Sequence, residues 1–182
     1  FRENFEALNQ YGMSRKTIYK GKVLAYSSLA LAAAIIDRII VIAASKITSS
    51  LENFIFGSFF TTMYESFFDK LNFWSENLLA LLLSFSAYLA LMSFGTFLSA
   101  VFYRSNRIGR IAIAAGVPIF IFVALPIIAA YVFTTNLANL ITKFIDFTLS
   151  TPLRTSATCL LGAIILGVIS YPIIVRATLK GK

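Results

Sequence analysis

Histidine is absent from this chain and cysteine occurs once, as Cys159. Their scarcity excludes His/Cys metal sites, histidine-dependent catalytic triads and a disulfide framework within one chain. Charge is also thin, with Asp, Glu, Lys and Arg making up 13% of 182 residues. Apolar residues take their place at 58%, above the roughly 45–50% of soluble domains, so a water-soluble globule is excluded. A phosphate-binding loop is missing as well: Gly21-Lys22 has no glycine five positions before it, so ATP hydrolysis by this chain itself is not expected. The period-two alternation of a membrane barrel does not occur either.

What is present is a set of long apolar runs. Four are sufficient to cross a bilayer, at about 23–45, 78–103, 111–133 and 156–175. At 1.5 Å per residue each reaches roughly 30 Å as a helix, the geometry that satisfies every backbone group inside lipid. The fold class expected is therefore all-α, a polytopic membrane helix bundle. Eleven of the sixteen basic residues fall on one side of these spans: Arg2, Arg15, Lys16, Lys20 and Lys22, then Arg104, Arg107 and Arg110, then Arg176, Lys180 and Lys182. The positive-inside rule places that side, and both ends of the chain, in the cytoplasm.

Two stretches between spans are apolar without spanning. The phenylalanine-rich segment at about 53–70 is too short to cross and contains Glu65, so an external interfacial or re-entrant helix is expected. Within it Phe56, Phe60 and Phe68 offer a candidate apolar surface for substrate; lipid contact explains them equally well. At about 136–150, Lys143 and Asp146 stand among Leu137, Leu140, Ile141, Phe144 and Ile145, a second external amphipathic helix.

Residues 1–22 form a cytoplasmic amphipathic segment ahead of a membrane domain at 23–182. Phe1, Phe5 and Leu8 share one helical face. Gly12 is the expected C-terminal stop, Ser14 the expected N-cap of a basic helix that starts at Arg15 and feeds into the first span. Thr17 stands where a full capping box has Glu or Gln. An interfacial anchor among anionic head groups is one use of such a segment; a docking helix for a cytoplasmic partner is the other.

Asp37 and Arg38 lie within the first span, where an unpaired charge costs about 2.5–3.5 kcal/mol. They are expected to be paired to protein or water, either lining a translocation path or seam, or as a structural pair with Arg38 reaching for the interface. Pro118 and Pro126 predict kinks in the third span. Gly95 with Ser99, and Ala112 with Gly116, are four apart and permit close helix approach; Cys159 reads as a small packing residue. No basic cluster is interleaved with aromatics, so nucleic-acid binding is unsupported.

The string Leu8-Asn9-Gln10-Tyr11-Gly12-Met13-Ser14-Arg15-Lys16-Thr17 just before a span resembles the cytoplasmic loop of bacterial ABC transporter type 2 permeases. There a coupling helix docks on a nucleotide-binding subunit and a Gly-x-Ser-Arg-Lys-Thr-like sequence leads into the third span. The resemblance implies that Phe5, Leu8, Tyr11, Gly12, Met13, Ser14, Arg15 and Lys16 form the ATPase-coupling surface. It also implies that the four spans correspond to spans three to six, with two more upstream of Phe1. ATP and Mg would bind the partner ATPase, and this chain would hold no cofactor. A second permease copy and membrane lipids complete the implied assembly in the bacterial cytoplasmic membrane. The short loops are similar to permeases of antimicrobial-peptide and phenol-soluble-modulin exporters, implying a hydrophobic or amphipathic cargo, a peptide foremost. A non-transporting immunity or assembly factor, and a secondary transporter, are the competing classes.

Overall fold

The computed structural model describes residues 12, 14–48, 58, 62–124, 126–128 and 136–175. The regular elements are α1 (Arg15–Thr48), α2 (Glu65–Phe68), α3 (Phe73–Arg104), α4 (Arg107–Ile119), a π-helical turn (Phe120–Ala124), α5 (Asn136–Leu149) and α6 (Pro152–Val175). No strand occurs among the described residues. Four helical stretches, Lys16–Ile47, Phe73–Arg104, Ile108–Ile128 and Pro152–Val175, are long and apolar enough to cross a membrane. The protein is an all-α membrane helix bundle.

Local chemistry sets the ends of these helices. At the start of α1 the Ser14 hydroxyl accepts a hydrogen bond from the Thr17 amide at 3.2 Å and meets the Thr17 hydroxyl at 2.8 Å. A side-chain oxygen thus satisfies an amide that the first turn leaves orphaned. With no proline inside it, α1 then runs unbroken for 34 residues, joining the basic segment to the first span. Pro152 opens α6, where its missing N–H costs nothing. Between α3 and α4, Ser105 and Asn106 are extended (ψ 148° and 171°). That tight reversal needs Gly109, where a Cβ would stand 3.1 Å from the Cβ of Ser105.

The third span is irregular between its two prolines. Pro118 lies inside α4, and the helix widens into the π turn between Pro118 and Pro126. A proline ring pushes on the carbonyl four residues back, Phe122 for Pro126, and an extra residue in the turn relieves that clash.

Packing divides the bundle. α3 lies along α6 over the greatest length and along α1 next, whereas α4 only touches α3 near their shared turn. Ile18, Ala100 and Ile174 meet at one end, bringing together the start of α1 and the ends of α3 and α6. α3 and α6 therefore run parallel, and α1 runs against both. Lys16, Lys20, Lys22, Arg104 and Arg110 gather at this end. At the opposite end Tyr64, Phe68, Ala80 and Leu83 form a second core.

The seam of α6 is built from small side chains. Ser156, Ala163 and Ser170 recur every seven residues and all are buried. Ser156 donates to the carbonyl of Pro152 at 2.8 Å and Ser170 to that of Leu166 at 2.6 Å. Hydroxyls satisfied within their own helix let the backbones approach without leaving a polar atom in lipid. By contrast, a Cβ added at Gly95 or Gly116 meets nothing within 4 Å. The expected Gly95/Ser99 and Ala112/Gly116 pairs therefore do not form a helix seam within this chain.

One expected element needs correction. In the described part of the 53–70 segment, Tyr64 leaves helical geometry (φ −118°, ψ 29°) and only Glu65–Phe68 form a short helix after it. The Tyr64 ring is buried and its hydroxyl lies 2.6 Å from that of Thr155. The described end of the segment is thus pinned onto α6.

Candidate functional site

Three places hold the chemistry: the turn before α1, a polar cluster where α1 crosses α3, and a groove among α1, α3 and α6. At the turn, Gly12 has φ +75°, a left-handed conformation that a Cβ penalises and glycine adopts freely. The chain thereby turns sharply two residues before the Ser14 cap. Gly12, Ser14 and Lys16 are exposed, and Arg15 is the first residue of α1. Phe5, Leu8, Tyr11 and Met13 lie outside the described residues, as do Phe56 and Phe60.

Phe68, the remaining member of the candidate substrate surface, is only 4% exposed. It packs with Tyr64, Ala80 and Leu83, so it belongs to the core and not to an external apolar surface. Its ring faces inward because Tyr64 and Phe68 are four apart and both turn toward α3.

In the polar cluster, Arg38 is 5% exposed and Asp37 half-buried. Nη2 of Arg38 donates to Oδ1 of Asn77 at 2.7 Å. Asn77 is fixed in turn, its Nδ2 donating to the carbonyl of Phe73 at 2.7 Å. Ser84, itself buried, donates to Oδ2 of Asp37 at 3.4 Å. As expected from their roughly 100° separation on a helix, the two neighbours take different partners. Both partners lie on α3, so the pair ties two spans together. Asn77 stands on the second turn of α3, which places the guanidinium near the end of the bundle opposite the basic one. Glu76, in the first turn of α3, and Asp37 supply the electrostatic field around it. Among the described residues, Nε and Nη1 of Arg38 have no hydrogen-bond partner.

Asn77 and Ser84 were not legible as partners, since a single polar residue in an apolar helix has many readings. Their seven-residue spacing, shared with the α6 serines, is the signal that marks one face of α3.

The groove has a volume of about 390 Å³ and lies toward the basic end. Tyr19, Lys22 and Tyr26 line it from α1, Ser93 and Thr96 from α3, Gly167 and Tyr171 from α6. The Tyr19 hydroxyl donates to the carbonyl of Gly167 at 2.8 Å, and its ring meets Tyr171 edge-on at 5.2 Å. The Lys22 ammonium lies 5.4 Å from the centre of the Tyr26 ring, a cation held against a π face. No family model, curated protein or solved structure matches this chain.

Proposed function

We propose that this chain is the membrane-spanning subunit of an ATP-driven exporter of the bacterial cytoplasmic membrane. It works with a separate ATPase subunit, which binds ATP and Mg, and with a second permease copy. The basic end faces the cytoplasm, as the positive-inside rule requires, and the cargo is hydrophobic or amphipathic, a peptide foremost. The observation that carries the reading is the left-handed Gly12 turn followed directly by the Ser14 cap. The sequence leads from there into an unbroken 34-residue helix, so a displacement applied at the Ser14 end is carried along α1 as a rigid lever. α1 passes it on through Tyr19 to Gly167 on α6 and through Arg38 to Asn77 on α3.

The test is affinity purification of the full chain from its native membrane. A chain with ATPase activity should accompany it stoichiometrically, and a Gly12→Val, Ser14→Ala, Arg15→Glu variant should lose that partner while keeping its helical circular dichroism. Retention of the ATPase by this variant, or its absence from the intact protein, overturns the reading. Cargo is read separately, as stimulation of the co-purified ATPase by an amphipathic helical peptide.

A further inference from the structure

We propose that the groove among α1, α3 and α6 is a binding site for an anionic phospholipid of the surrounding leaflet, with its phosphate at Lys22 and an acyl chain along the groove. This assignment goes beyond the exporter reading and does not depend on it.

Four observations converge. Among the described residues, Lys22 carries the only formal charge on the lining and no carboxylate lines the groove, so its electrostatics favour an anion. Among the described residues the hydroxyls of Tyr26, Ser93 and Tyr171 make no hydrogen bond within the chain, leaving donors for phosphate and ester oxygens. Much of the remaining lining is apolar: Val23, Leu89, Ile164 and Val168. Ile164 and Val168 are also more than half exposed on the outside of α6, so the groove opens sideways, the direction from which a lipid enters.

Dimensions agree with that occupant. From Lys22 to Ser27 along α1 the groove runs roughly 8 Å at 1.5 Å per residue, about half of the ~15 Å of one hydrocarbon leaflet, which is room for the headgroup-proximal part of one acyl chain. Lys22 stands toward its basic end, with Lys16 and Lys20 exposed just beyond. Basic residues at that level draw anionic headgroups, but Lys20 does not line the groove. This separates a site from diffuse surface attraction.

The experiment is native mass spectrometry of the full chain, delipidated in a neutral detergent and titrated with dioleoyl phosphatidylglycerol or dioleoyl phosphatidylcholine. One phosphatidylglycerol should be retained per chain, with phosphatidylcholine bound at least about fivefold more weakly. Lys22→Gln should lower phosphatidylglycerol affinity about fivefold and Lys20→Gln should leave it unchanged. Ser93→Phe, which fills the groove without touching charge, should abolish retention of both lipids, and Thr96→Leu provides a milder block should Ser93→Phe fail to fold. Equal binding of the two lipids, an equal loss in Lys20→Gln, or wild-type affinity in a folded blocking variant overturns the assignment. So does displacement of the lipid by an equimolar anionic amphipathic peptide, which would make the groove a cargo site.

Discussion

Two of the spans, α4 and α6, are alike in composition and opposite in fate. The α4 stretch is the most apolar of the four, yet among the described residues none of its most apolar window is buried, whereas 17% of the α6 window is. Water cannot explain the difference, because in lipid one apolar helix gains nothing over another by leaving the solvent. Shape explains it. α6 presents Ser156, Ala163 and Ser170 as a groove into which α3 settles. α4 and the π turn carry Ile108, Ile111, Ile119, Phe120 and Phe122 outward; Ala112 is exposed, and a Cβ at Gly116 would meet nothing within 4 Å among the described residues. Apolarity decides which segments enter the membrane; small and self-satisfied hydroxyl side chains decide which of them touch.

This contrast is open to direct attack. The largest effect is expected from overfilling the seam: Ala163→Leu should destabilise the bundle by about 1–3 kcal/mol, while Ala114→Leu, at an exposed position on α4, should change stability by less than about 0.5 kcal/mol. Reversible unfolding in mixed micelles measures both, and equal effects would abolish the distinction. Next, Asn77→Leu removes the hydrogen bond of the buried Arg38 and should cost about 1–2 kcal/mol. Combining it with Arg38→Leu should recover most of that loss, since the penalty belongs to the stranded cation and not to the missing bond. A double-mutant cycle by the same unfolding assay reads the coupling.

Smaller changes sharpen the picture at the two ends of the bundle. Ser14→Ala deletes the cap of α1 and should cost about 1 kcal/mol, visible as faster amide exchange confined to its first turn. Tyr64→Phe should cost about 0.6 kcal/mol, less than loss of the cap, because Thr155 keeps its bonds to the carbonyls of Thr148 and Thr151 at 2.9 and 3.2 Å. A loss above ~2 kcal/mol would mean that the Tyr64 hydroxyl organises the whole α2–α6 corner.

Much of the fold could be read before any coordinates. The start of α1 follows from Ser14, the α3–α4 reversal falls at the three-arginine turn, and α5 occupies 136–149 within the expected external segment, whereas α6 begins at Pro152, four residues before the expected span. The Gly12 turn was legible because only one residue type is indifferent to positive φ. The site was less so. Arg38 and Asp37 announced themselves as costly charges, but their partners on α3 lie 39 and 47 positions away, and no local rule spans such a gap. Phe68 misled for a related reason: a phenylalanine at helical spacing has the same pattern whether its face meets lipid or α3. The groove was invisible because its lining comes from three helices whose registers are set only by packing.

Sequence alone determined the class of the protein, the four spanning helices and the concentration of cationic residues at one end. Each of those follows from transfer free energies and backbone satisfaction that act residue by residue along the chain. Tertiary structure alone decided that α6 rather than α4 joins the core, that Arg38 answers to Asn77, and that Lys22 stands at a groove among α1, α3 and α6. Those outcomes depend on shape matching between segments distant in sequence, a property of pairs of surfaces that no single segment carries.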